Sequence, residues 1–222
     1  KAMFCEKPVD LSLKRVQDCL ATVAAEDATL MVGFNRRFDP DFMAVKAAID
    51  AGRVGDGEMI TITSRDPGAP PVEYIKVSGG IFRDMTIHDF DMARWLLGEE
   101  VETVMAQASV LTDPKIGEAG DFDSVNVMLR TASGKQAIIT NSRRATYGYD
   151  QRIEVLGSGG MVSAKSRAVG PQRDQSESLS MRSPVANNRF SPVAKSTSQI
   201  AARPSSAAKP FSTTFEFDPT VA

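Results

Sequence analysis

One histidine, one tryptophan and two cysteines are spread over 222 residues. So few nitrogen and sulfur ligands argue against a zinc centre. Cys5 and Cys19, lacking ligand-like spacing, cannot build a disulfide framework, which agrees with a reducing compartment. No apolar run reaches the roughly eighteen residues of a membrane span, and no charged-then-apolar leader opens the chain. Neither a membrane association nor a signal peptide is expected, and the default location is cytoplasmic. Basic residues interleaved with aromatics are also missing before residue 165, so nucleic acid is not an expected partner.

What remains is globular in character, with 42% apolar residues, enough to bury a full core. The net charge of −2 hides an asymmetry, because residues 165–222 hold eight Lys or Arg against four Asp or Glu. That segment also holds eleven serines and six of the twelve prolines, with no sustained apolar period. It reads as a disordered tail. The abrupt change after Ala164 points to a shift of reading frame there, which would leave a sheet edge unpaired and the chain inactive and prone to aggregate.

Ala2-Met3-Phe4-Cys5 reads as the end of a buried strand already in progress, so the chain looks truncated at its start. Glu6-Lys7-Pro8 turns a corner, since proline fixes its own φ and disfavours helix at Lys7. Asp10 or Ser12 can cap the next helix, with Leu13, Val16, Leu20, Val23 and Ala24 as its apolar stripe. Residues 29–34 have strand character. Asp39-Pro40 then opens a helix with Phe42, Val45 and Ile49 on the buried side and Gly52 as its stop. Residues 58–64 are β-rich and 65–71 form an irregular loop. Beyond Gly98, strands are expected at about 102–111, 124–131, 135–141 and 151–156, with a hairpin at Ser133-Gly134 and polar loops at 112–122 and 143–150. Strands in series without intervening helices imply an antiparallel sheet, so residues 55–164 form an α+β domain with a helix on its inner face.

That helix runs from Gly79-Gly80 to Gly98 and carries His88. At α-helical spacing, Asp84, His88, Asp91 and Trp95 share one stripe, and Met85, Phe90, Met92, Ala93, Leu96 and Leu97 cover most of the rest. A carboxylate four residues before an imidazole can hydrogen-bond it, fix its tautomer and raise its pKa, as suits a general base. Two other readings stand beside this one. Asp84 can cap the helix while His88 is a satisfied core histidine, or His88 can join Asp84 and Asp91 on a metal, the weakest alternative.

Taken together, Cys5-Glu6-Lys7-Pro8 and Gly79-Gly80…Asp84-x-x-x-His88-Asp89 resemble the glucose-fructose oxidoreductase/inositol dehydrogenase (Gfo/Idh/MocA) family over residues 1–164. Residues 33–38, 64–68 and 142–150 look most like its bacterial inositol-oxidising branch. The resemblance implies that 1–54 is the end of a Rossmann dinucleotide-binding domain and that 55–164 is the substrate and oligomerisation domain, a largely antiparallel open sheet covered by helices. It implies Lys7, Asp84 and His88 as catalytic residues, Glu6 and Lys7 beside an NAD nicotinamide, and Arg37, Asp66 and Tyr147 as contacts to a cyclic polyol. A homo-oligomer formed through the sheet face is implied as well, with no metal. The glycine-rich Gly-x-Gly-x-x-Gly turn of the family follows no strand here, so most of the cofactor site is missing. A non-catalytic binding or assembly module of the same fold is the rival reading.

Overall fold

A computed structural model of the chain describes residues 1–165, 179–182 and 213–216. Two parallel strands, β1 (Met3–Cys5) and β2 (Leu30–Val32), flank helix α1 (Leu13–Ala25). The apolar stripe of α1 is only partly covered: Val16 and Val23 are half-buried, while Leu13 and Leu20 stand well exposed. A single 3-10 turn (Asn35–Phe38) leads into α2 (Pro40–Asp50). The Asp39 side chain caps α2 by accepting from the backbone N–H groups of Asp41 and Phe42, as its position before proline predicts.

The larger sheet is built from β3 (Gly57–Arg65), β4 (Val101–Ser109), β5 (Ser124–Thr131), β6 (Gln136–Ser142), β7 (Asp150–Gly157), β8 (Gly160–Lys165), β9 (Leu179–Arg182) and β10 (Thr213–Glu216). Their order is β10-β4-β5-β6-β3-β7-β8-β9, antiparallel throughout except for the parallel pair β3 and β6. The α+β class and the mainly antiparallel sheet are thus as expected. Most of the segment expected to be disordered, and the frame change proposed for it, lies outside the described residues. Within it, β9 pairs with β8 and β10 with β4, at opposite edges of the sheet.

Alternation along the strands sends Ile60, Ile62, Val127, Leu129, Ile139, Ile153 and Val155 to one face, where they form a core with Phe42, Val45 and Ala48 of α2. Met92, Ala93, Leu96 and Leu97 of helix α4 (Ile87–Leu97) complete it. Helix α2 therefore packs with the large sheet and not with β1 and β2, although it lies in the stretch 1–54. The opposite face of the sheet is open, and Met59, Met105, Met128 and Leu156 stand about half exposed on it.

Two short helices stand outside the expected elements: α3 (Val72–Ser78), between the 65–71 loop and the central helix, and α5 (Pro114–Glu118), within the 112–122 stretch expected to be a polar loop. Gly79 ends α3 in the left-handed region at φ 85°. The central helix opens at Gly80 and Ile81, runs through a π-helical turn, Phe82–Thr86, into α4, and ends at Gly98, φ 67°. Gly80 allows this start. It too has positive φ, and a Cβ there would meet Asp121 Oδ1 at 2.7 Å. Gly80→Ala should therefore lower unfolding stability by about 2 kcal/mol or more. Gly52→Ala, at φ 68° with open space around it, should cost only about 1 kcal/mol. Urea midpoints of the two variants check this, and equal losses would contradict it.

Candidate active site

At the end of β3 the inner face of the sheet changes from apolar to polar. Ser64 pairs with Asn141 on one side and Gln151 on the other, so three polar side chains form a row just past the Ile62, Ile139 and Ile153 row. Asp89, fully buried on the first turn of α4, lies over that row. It accepts from Ser64 Oγ at 2.7 Å, from Asn141 Nδ2 at 2.7 Å and from the Arg36 guanidinium, while Thr86 Oγ1 donates to Asn141 Oδ1 at 2.6 Å. Arg36 Nη1 also donates to Ser64 Oγ at 2.9 Å. With its amide oxygen turned to the guanidinium, Gln151 accepts from Arg36 Nε at 3.0 Å and from the Tyr149 hydroxyl at 2.6 Å. Ser64, Asp89, Asn141 and Gln151 thereby all have hydrogen-bond partners in this buried network, as a charge in such a place requires.

Its neighbour Arg37 grips the same helix. Nε and Nη2 donate to Asp91 Oδ2 and Oδ1 at 2.8 and 2.7 Å, a two-pronged pair, and the guanidinium lies 5.7 Å from the Trp95 ring. Arg37, a candidate for polyol contact, thus holds the turn 35–38 onto α4.

Lys7 reaches across from the corner after β1, where the Lys7-Pro8 bond is cis. Its Nζ donates to the backbone carbonyl of Asp84 and lies 3.4 Å from Asp84 Oδ1. Asp84 Oδ1 also accepts from the Tyr74 hydroxyl of α3 at 2.8 Å, and Oδ2 lies 3.5 Å from Arg143 Nη2. No hydrogen bond joins Asp84 to His88, contrary to the expectation from their spacing. The π-helical turn breaks the regular i, i+4 stripe, and three donors from elsewhere already claim the carboxylate. Nor does Asp84 cap the helix, and the buried Nδ1 of His88 has no partner at all.

His88 is instead set edge-on to Phe34, with ring centroids 6.4 Å apart. Its pKa is lowered to about 4, by burial first, then by the positive charges of Arg36 and Lys7, against which Asp84 pulls only weakly. The direction is opposite to the rise expected of a carboxylate-paired histidine. Asp66 moves the other way: burial raises its carboxyl, opposed by Arg143 and Arg36. Its backbone carbonyl accepts from Ala145 N at 2.7 Å, which ties it to the 143–149 loop. Tyr147 of that loop is exposed, and its hydroxyl bonds Arg65 at 2.9 Å and Asp150 at 2.8 Å.

Lys7, Asp84 and His88 are thus drawn into one neighbourhood, with Asp66 in the field of the same cations. Tyr74, Arg36, Asp89, Asn141, Tyr149 and Arg143 belong to it as well, although no spacing in the sequence singles them out. No group of three or more metal-ligand side chains gathers among the described residues.

Residues 42–163 match the GFO/IDH/MocA C-terminal domain. The chain belongs to the Gfo/Idh/MocA family. Its relatives in the family include the inositol 2-dehydrogenase of Rhizobium meliloti, 71% identical over 167 residues, which are 75% of this chain and 51% of that protein. A myo-inositol dehydrogenase structure from Corynebacterium glutamicum aligns with TM-score 0.72 at 43% identity, over 78% of this chain and 51% of that one. The scyllo-inositol dehydrogenase of Lactobacillus casei, solved with bound NAD(H) and scyllo-inositol, aligns with TM-score 0.68 at 28% identity, over 82% and 56%. The chain spans about half the length of these Gfo/Idh/MocA relatives.

The buried network predicts a large stability effect. Arg36→Met would strand the Asp89 carboxylate without its cation, and should cost about 3–5 kcal/mol in denaturant unfolding. A loss below about 1 kcal/mol would show that Asp89 does not depend on Arg36.

Proposed function

We propose that this sequence is the substrate-handling part of an NAD-dependent oxidoreductase that converts a secondary alcohol of inositol or a related cyclic polyol to a ketone. The observation that carries the reading is the convergence of Lys7 from the first strand corner with Asp84 and His88 on the central helix. Such a site needs a base for the hydroxyl proton, a cation for the forming alkoxide, and a hydride acceptor.

The corner that bears Glu6 and Lys7 fits a nicotinamide. It stands at the carboxyl ends of two parallel strands, where α/β folds hold ligands, and Gly33 lets the backbone pass Glu6 closely, since a Cβ there would lie 2.9 Å from Glu6 Oε2. When bound, nicotinamide supplies the hydride acceptor. His88, neutral over the physiological range, takes the hydroxyl proton. With its lowered pKa it is a weak base, so the charge of Lys7 has to stabilise the alkoxide as it forms. Asp84 serves Lys7 and not His88: it holds the ammonium in place from its backbone carbonyl and its carboxylate. Asp66 and, at the exposed end of the linked loop, Tyr147 are proposed to receive further hydroxyls of the ring. The relatives that act on inositol, and the neighbour holding NAD(H) and scyllo-inositol, support this choice of substrate and cofactor.

Homo-oligomerisation through the open sheet face is part of the same proposal, supported by the methionine-rich surface left exposed there. A purely non-catalytic module is the less favoured reading, because it leaves the convergence on Asp84 without a use.

The test is a chimaera in which residues 1–164 replace the matching segment of the Rhizobium meliloti enzyme. It should reduce NAD in the presence of myo-inositol, and His88→Ala should lower kcat by about 10²–10⁴-fold. Undiminished turnover by His88→Ala would refute the assignment, and a folded chimaera without turnover would favour the non-catalytic module.

A further inference from the structure

Among the described residues Arg143 is the largest fully buried side chain, 1% exposed, and none of the chemistry proposed above uses it. It stands at the end of β6 with its backbone N–H bonded to Asp123 O at 2.8 Å, so its course into the interior is fixed at the root. Nη2 lies 3.5 Å from Asp84 Oδ2 and 3.5 Å from Asp121 Oδ2, and Nε has no partner.

For stability alone this is a poor arrangement. Both contacts are long, one N–H is orphaned, and a buried cation between two carboxylates gains little over apolar packing. As a mounting it is well made. Asp121 Oδ1 accepts from Ile81 N at 2.9 Å, at the very start of the central helix, and Gly80 is bare of the Cβ that would displace that carboxylate. The guanidinium therefore connects two fixed points: the amide that begins the helix and the carboxylate three residues further on. We propose that Arg143 is a positioning residue for Asp84, holding Oδ2 so that Oδ1 faces Lys7 and Tyr74 and the carboxylate is kept from His88.

Without that hold, Oδ2 is free to accept from the unpartnered Nδ1 of His88. Lys7 would share its anchor, and the imidazole would become a better proton acceptor. Arg143 thus separates two roles that a carboxylate four residues from a histidine would otherwise merge. The inference takes the importance of Asp84 from the dehydrogenase reading, but its geometry does not depend on turnover.

His88 is the only histidine in the chain, so its imidazole is read by NMR without assignment ambiguity. Arg143→Lys keeps the charge but is one bond shorter and lacks the Nη2 that lies between both carboxylates. It should raise the His88 titration midpoint by about one pH unit, a tenfold gain in proton affinity. In an Asp84→Asn background the same substitution should have no effect. An unmoved midpoint, or an equal rise in both backgrounds, as general loosening would give, overturns the proposal. Should Arg143→Lys fail to fold, the near-isosteric Asp84→Asn decides it alone in arginine-labelled protein. The buried Arg143 guanidinium signals should then shift and exchange with solvent at least about tenfold faster, whereas unchanged signals would show that Arg143 serves Asp121 only. None of these readings uses cofactor or polyol, so a failure here is distinct from a failure of the proposed activity.

Discussion

Carboxylates on a buried helix cannot stay ionised unless cations come to meet them, and this requirement ties the chain together. Asp84, Asp89 and Asp91 follow one another along the π-helical turn and α4, and α4 itself offers none of them a partner. Their cations arrive from elsewhere: Lys7 from the first strand corner, Arg36 and Arg37 from the turn before α2, and Arg143 from the end of β6. Each pair is also a long-range link. Isolated pairs of this sort contribute little net stability, because desolvation offsets most of the attraction, but losing one partner is costly. The segment 1–38, which brings few buried side chains of its own, is thereby located on the helix that carries His88 mainly by polar and ionic contacts.

The same charges define what is left over. All three carboxylates are engaged, and the buried Nδ1 of His88 is left without a hydrogen bond. Burial and the neighbouring cations keep it neutral, so it is a base by isolation and not by partnership with Asp84. In the proposed chemistry its weakness as a base is met by Lys7, whose ammonium would lower the proton affinity of the alcohol that His88 deprotonates. The arrangement resembles other sites where two titratable groups are pushed apart by their surroundings and so acquire separate roles.

Much of the fold is readable before any coordinates. Strand alternation in 124–131 and 136–142, the Asp39-Pro40 helix start and the Gly98 stop all follow from local rules, because local and tertiary preferences agree there. The meeting of Lys7 with Asp84 and His88 is legible once Glu6-Lys7-Pro8 and Asp84-x-x-x-His88 are taken together. The π-helical turn is not, since it depends on Gly80 fitting against Asp121, forty-one residues later in the chain. Arg36 and Arg37 are adjacent and read alike, yet one ends in a buried network and the other stays half-exposed while gripping the single carboxylate of Asp91. Only the polar row of Ser64, Asn141 and Gln151, assembled from three strands, distinguishes them. Arg143 and Arg144 raise the same problem: strand parity at the end of β6 sends one guanidinium inward and leaves the other at the surface.

The central claim is that His88 is a neutral imidazole held apart from Asp84. Titrating its ring protons by NMR in the unmodified chain tests this directly. A midpoint near pH 4 is predicted, well below the ordinary histidine value, with the Nδ1 environment showing no carboxylate hydrogen bond. A midpoint at or above about 6.5 would mean that Asp84 pairs with His88 after all, and the separation of roles described here would be wrong.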